Sequence, residues 1–98
     1  MAERTPLTKE EVEEALKDLD NWFYDGDRLV KEFTFGSFRE AISFIVRMSY
    51  EAEQRDHHPE LTNVYNRVSI ALNTHDAGHM VTEIDIELAR AIDKFSWS

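Results

Sequence analysis

The sequence predicts an α+β domain: a two-layer arrangement in which three helices pack on one face of a four-stranded antiparallel sheet, in the order α-β-β-α-β-β-α. Three observations predict it. Thr or Ser followed three residues later by Glu or Asp occurs at three places, each opening a stretch with apolar residues at helical spacing. Between these stretches lie two regions of strand-like pattern, each broken by a turn signal. The length of 98 residues suits a single domain over 1–98 with one core.

Thr8-Lys9-Glu10-Glu11 opens the first helix, which the spacing carries to about Leu19 with Val12, Ala15, Leu16 and Leu19 on one face. The acidic run 10–14 reads as a solvated helix start, favourable to the helix dipole. Trp22-Phe23-Tyr24 and residues 29–35 flank Asp25-Gly26-Asp27-Arg28, a hairpin signal. Leu29, Phe33 and Phe35 face one way, with Lys31 the odd member of that row. Ser37-Phe38-Arg39-Glu40 opens the second helix, and Phe38, Ala41, Ile42, Ile45, Met48 and Ala52 continue its apolar stripe to about His57. Pro59 is the expected stop, because the residue before proline is pushed out of the α region. Phe33, Phe35, Phe38 and Phe44 are expected in the core rather than on a stacking platform.

After Pro59, Val68, Ile70 and Leu72 alternate with Arg67, Ser69, Ala71 and Asn73, the pattern of a half-buried strand. A single strand over 63–73 would carry His75 roughly 35 Å from His58, at about 3.3 Å per residue. A reversal at Asn66-Arg67 brings them together, since asparagine tolerates the left-handed conformation of a two-residue hairpin turn. The prediction is therefore two short strands, 61–65 and 68–74. Thr82-Glu83-Ile84-Asp85 opens the third helix, with Ile84, Leu88, Ala91, Ile92 and Phe95 inward. The sheet edges are open to pairing with another copy.

Composition narrows the function. A formal charge of −9 argues against a basic nucleic-acid surface and against docking on anionic membranes. The absence of cysteine excludes a disulfide framework and a thiolate metal site. The first six residues lack the apolar stretch of a signal peptide and no segment is long enough to span a bilayer, so a cytoplasmic location is expected.

Three of the four histidines lie in Asp56-His57-His58-Pro59 and Thr74-His75. Imidazole is the side chain whose ordinary pKa lets it give and take protons near neutrality. His57 and His58 at a helix end, with His75 entering from a strand end, can take a proton from one atom and give one to another, as a dehydration or isomerisation requires. Asp56, Glu53 or Asp85 can orient an imidazole by accepting its second N–H. The bland alternatives are an exposed helix end for His57-His58, a polar strand end for His75, an exposed turn for His79 and a helix cap for Asp85. A metal site is disfavoured, because adjacent histidines on a helix point about 100° apart, unlike the i, i+4 pair of His-Glu-x-x-His.

Asp56-His57-His58-Pro59-Glu60, Asn63-Val64-Tyr65-Asn66-Arg67-Val68 and Leu72-Asn73-Thr74-His75-Asp76 together closely resemble the pterin-4a-carbinolamine dehydratases. Trp22, Phe33-Thr34-Phe35, Phe38, Ala41 and Phe44 upstream fit the same pattern, as do Thr82, Asp85, Leu88-Ala89 and Ile92-Asp93 downstream. The resemblance implies the four-stranded, three-helix fold, assembled as a homodimer or homotetramer. It also implies a reaction: loss of water from 4a-hydroxytetrahydropterin to give quinonoid dihydropterin, a step that recycles the cofactor of aromatic amino-acid hydroxylases. The implied catalytic set is His57, His58 and His75, with His57 and His75 as the acid–base pair and His58 shaping the pocket. The implied substrate-binding positions are His57, His58, Pro59, Thr74, His75, Asp76 and Ala77. Glu53 and Asp85 are the candidate orienting carboxylates, and the chemistry implies no metal or organic cofactor.

Two features depart from the family pattern. The segment Asp76-Ala77-Gly78-His79-Met80-Val81-Thr82 is one residue longer than the common Gly-Leu-Thr form, which moves Asp85 one step further from His75. Leu61 stands where animal members carry tryptophan. The resemblance also allows a second reading, a non-catalytic protein-binding module, since relatives on this fold serve as a dimerisation coactivator of a homeodomain transcription factor or as an assembly factor for a large enzyme.

Overall fold

Thr8 starts the first helix by the reciprocal capping its sequence predicts. In the computed structural model of the chain, which describes residues 4–95, the Thr8 hydroxyl accepts from Glu11 N at 3.1 Å and the Glu11 carboxylate accepts from Thr8 N at 2.9 Å. Helix α1 (Lys9–Leu16) ends earlier than expected. The amides of Lys17, Asp18 and Leu19 bond back only three residues, at 3.3, 3.2 and 3.1 Å, and Asn21 then reverses the chain at φ 65°. Leu19 is still buried, because the tightened turn keeps it on the core side.

The first hairpin joins β1 (Phe23–Tyr24) to β2 (Leu29–Thr34). Its turn closes through Asp25 N donating to Arg28 O at 3.0 Å, with Gly26 at φ 100°, where a side chain would be strained. Leu29, Phe33 and Phe35 are buried as predicted. Lys31 belongs to their row because its ammonium lies 3.1 Å from Asp93 and 4.7 Å from the centre of the Phe33 ring. The indole N–H of Trp22 donates to the same carboxylate at 3.1 Å.

Ser37 caps α2 (Phe38–Gln54), accepting from Glu40 N at 3.2 Å. The Glu40 carboxylate reaches past Ser37 to Gly36 N at 2.7 Å. The buried row is Ala41, Phe44, Met48 and Ala52. At about 100° per residue, Phe38 and Ile42 fall outside that arc. They are 50% and 38% exposed, and with Val46 and Tyr50 they form an outward apolar row, correcting the predicted stripe.

The end of α2 corrects a second expectation. A Schellman turn ends the helix before proline acts: Asp56 N donates to Glu53 O at 3.1 Å, His57 N to Ala52 O at 3.0 Å, and Asp56 sits at φ 49°. His57 and His58 therefore lie beyond the helix, in the connection to the next strand.

Strands β3 (Glu60–Val64) and β4 (Arg67–Leu72) form the second hairpin. The turn residues are Tyr65-Asn66, one earlier than expected, and Tyr65 takes the positive φ of 53°. Asn66 is occupied elsewhere: its Nδ2 donates to Phe35 O at 2.9 Å and its carbonyl accepts from Phe35 N at 2.8 Å, fastening the hairpin tip to the end of β2. The sheet order is β1-β2-β4-β3, antiparallel throughout.

Helix α3 (Glu83–Phe95) packs against α2 and buries Ile84, Ile86, Leu88, Ala89 and Ile92. This arc is wider than the sequence stripe. Ala91 is half-buried, and the Phe95 side chain lies outside the described residues. The helices cover the face bearing Leu29, Phe33, Val68, Ile70 and Leu72. The other face carries Val30, Glu32, Thr62, Ser69 and Ala71 around a shallow depression of about 380 Å³. Among the described residues no helix is long and apolar enough to cross a membrane.

Candidate active site

The second hairpin brings the histidine segments together. Glu60 pairs with Ala71, so continuing the register backwards sets His58 level with Asn73, next to Thr74 and His75. Just past the end of β4, a 3₁₀ turn (His75–Ala77) starts a loop that folds back on its own strand end. Thr74 N donates to Met80 O at 2.9 Å and His79 N to Thr74 O at 3.0 Å, with Gly78 at φ 71° and His79 at φ 62°.

Between the α2–β3 connection and this loop lies a cleft of about 410 Å³. Six of the sequence-predicted site residues line it: Asp56, His57, His58, Pro59, His75 and Asp76. Thr74 and Ala77 are not among its lining residues. Thr74 is fully buried behind the wall, and its hydroxyl supports the site from within. Arg4, Asn73 and His79 also face the cleft and were not predicted there. His79 is an exposed turn residue, as expected, and its ring also meets that of His75 edge-on, with centroids 4.5 Å apart. The signal was the four-residue spacing of the two histidines around Gly78, in the longer loop of this chain.

One buried carboxylate organises the wall. Asp85 is fully buried, and its Oδ2 accepts from Thr82 N at 2.9 Å and from the Thr74 hydroxyl at 2.8 Å. Because the single Thr74 proton is directed at Asp85, the Thr82 hydroxyl is the donor in the 2.7 Å contact between the two threonines. The other oxygen, Oδ1, lies 2.5 Å from Nε2 of His57, itself only 5% exposed. As a carboxylate Asp85 accepts, which assigns the ring proton to Nε2 and the lone pair to Nδ1. The guanidinium of Arg4, which can only donate, stands 3.5 Å from that Nδ1 and supports the same assignment. Asp85 thus retains part of the capping role, through Thr82 N, while holding His57.

His58 is set differently. Its Nε2 lies 2.5 Å from Glu53 Oε1, and both side chains are exposed, at 61% and 73%. Glu53 and Asp85 therefore each meet one imidazole, and Asp56 supplies the backbone reversal between them. The arrangement offers two differently held imidazoles on one wall and a third, His75, on the facing loop. Such groups can protonate a leaving oxygen and remove a proton elsewhere on one small molecule.

The family model described as Pterin 4 alpha carbinolamine dehydratase matches residues 5–95. A protein of Opitutus terrae named "Putative pterin-4-alpha-carbinolamine dehydratase" is 52% identical over 93 residues, covering 95% of this chain and 96% of that protein. One of Metallosphaera sedula with the same name is 43% identical over 88 residues, covering 90% of this chain and 91% of its own length. Among solved structures, the transcriptional coactivator/pterin dehydratase of Brucella melitensis superposes with a TM-score of 0.86 at 41% identity, over 92% of this chain and 97% of that one. A pterin dehydratase-like RuBisCO assembly factor of the alpha-carboxysome shares the fold at a TM-score of 0.60 and 23% identity, over 74% of this chain and 83% of that one. The chain belongs to the pterin 4 alpha carbinolamine dehydratase family.

Proposed function

We propose that this protein is a hydro-lyase that removes water from a 4a-hydroxytetrahydropterin, giving the quinonoid dihydropterin, by histidine acid–base catalysis. The observation that carries the reading is the cleft wall in which buried Asp85 holds His57 while His75 faces it from the loop. In the reaction the C4a–O bond breaks as the hydroxyl takes a proton, and N5 gives up its proton; water and the quinonoid ring are the products. His57 offers Nδ1 to the cleft, since its Nε2 is engaged by Asp85. His57 and His75 form the acid–base pair, in either order, and His58 with Pro59 shapes the pocket.

Within the loop, the N–H groups of Thr74, Ala77, Gly78 and His79 are engaged by internal bonds. The backbone contacts to the amide edge of the pterin therefore fall to the N–H groups of His75 and Asp76 and to nearby carbonyls. The protein works in the cytoplasm in recycling the pterin cofactor of an aromatic amino-acid hydroxylase. It assembles as a homodimer or homotetramer, and the outward row Phe38, Ile42, Val46 and Tyr50 is an apolar surface for contact between copies.

The second reading, a protein-binding module, is favoured by that same exposed row and by the name transcriptional coactivator that the Brucella relative carries. Titration with a stable 7,8-dihydropterin, followed through the histidine ring resonances, separates the two. The dehydratase reading expects His57, His58 and His75 to respond together and saturably. Absence of any response at these rings would favour the binding module.

A further inference from the structure

The residue of the cleft that neither the histidine motifs nor the family match includes is Arg4, one position before the matched segment begins. Its backbone is brought there by the strap that precedes α1: Pro6 bridges to Thr82 and Leu7 N donates to Val81 O at 2.9 Å. The guanidinium then crosses to the end of α2. Its Nη2 donates to Arg55 O at 3.2 Å and to Asp56 O at 3.0 Å, two carbonyls beyond the last helical turn. A cation there is favoured by the negative end of the helix dipole. Its Nη1 stands 3.5 Å from Nδ1 of His57.

We propose that Arg4 is a positioning residue of this site, acting through His57. Asp85 holds the imidazole at Nε2 and Arg4 holds it at Nδ1, so the ring is fixed from both sides. The same guanidinium braces the backbone turn at Asp56 that presents the ring. Nδ1 is also the nitrogen of His57 not engaged by Asp85, so a substrate atom that takes up its lone pair must displace the Arg4 Nη1 contact. The planar guanidinium matters more than its charge, because it donates to the two carbonyls from Nη2 and faces Nδ1 with Nη1, two separate points that a lone ammonium nitrogen does not supply. The catalytic part of this proposal rests on the dehydratase reading; the clamp on His57 does not.

The test uses the full chain with Arg4→Ala and Arg4→Lys, and reads both the histidine rings and turnover. In long-range 1H–15N spectra without ligand, wild-type His57 should carry its proton on Nε2. In Arg4→Ala the Nδ1 resonance should move in the direction of a lone pair that has lost a donor, with the His58 Nδ1 resonance unmoved. With circular dichroism unchanged, kcat should fall about 10- to 100-fold, the scale of a misplaced catalytic group. KM should change less, and Arg4→Lys should recover only part of the loss. An unmoved Nδ1 resonance in folded Arg4→Ala would overturn the clamp. A moved resonance with unchanged kcat would overturn the positioning role. If the wild type does not turn over, the dehydratase reading and the catalytic part of the proposal fall together, while the ring spectra still decide the clamp.

Discussion

Asp85 and His57, 28 residues apart in sequence, meet at 2.5 Å between Oδ1 and Nε2, with both side chains withdrawn from solvent. Through Thr82 and Thr74 the same carboxylate ties the start of α3 to the loop after β4. The contact therefore links three parts of the chain at the wall of the cleft, and its loss should be felt in both stability and turnover.

Asp85→Asn keeps the shape but replaces an acceptor-only group with one that also presents N–H donors. The His57 ring then loses its fixed proton position, and turnover should fall by about 100-fold or more, as for a lost orienting carboxylate. Asp85→Ala leaves Thr82 N, the Thr74 hydroxyl and His57 without their buried acceptor. It should destabilise the fold by about 3 kcal/mol or more, measured by urea denaturation.

His75→Ala should fold with wild-type stability, because the ring is exposed, and lose at least about 100-fold in dehydratase turnover. His79→Asn, which tolerates the positive φ at that position, removes only the edge contact to His75. Its loss should be clearly smaller than that of His75→Ala in the same assay. Equal losses would make His79 a direct participant.

The left-handed residue at Asp56 sets the direction in which His57 leaves the helix. Asp56→Val should be less stable than Asp56→Gly by about 1–2 kcal/mol, since a branched side chain is strained at that φ. Thermal denaturation of the pair measures the difference, and turnover should fall in the valine variant alone.

Lys31 and Trp22 share Asp93 as acceptor. Asp93→Leu strands a half-buried ammonium and an indole N–H, at a cost of about 1–3 kcal/mol. Adding Lys31→Met should recover part of that cost, because removing both partners of a buried pair is milder than removing one. Chemical denaturation of the single and double variants gives the comparison.

What was legible in the sequence was local and periodic. The Thr8 and Ser37 starts, the alternation of Val68, Ile70 and Leu72, and the need for a hairpin between the histidine segments all follow from side-chain chemistry within a few residues. Helix ends were less legible. Pro59 is an obvious breaker, but the backbone had already turned at Asp56, a non-glycine residue in a conformation that sequence rarely signals. The hairpin turn moved by one residue because Asn66 binds Phe35 across the sheet, a tertiary demand that turn propensity does not contain. Phe38 and Ile42 looked inward by hydrophobicity alone, although the angular position of Phe44 and Met48 leaves them outside the buried arc. At the site, the histidines announced themselves. Arg4 did not, since it belongs to no local pattern and reaches His57 only through the strand bridge of its strap.

Whether His57 drives the dehydration is decided by following freshly generated 4a-hydroxytetrahydrobiopterin by ultraviolet absorbance, with wild type and His57→Ala at equal concentration. The expected result is rapid turnover by the wild type and its loss in the folded variant. No acceleration over the spontaneous reaction by the folded wild type, or full activity in His57→Ala, would contradict it.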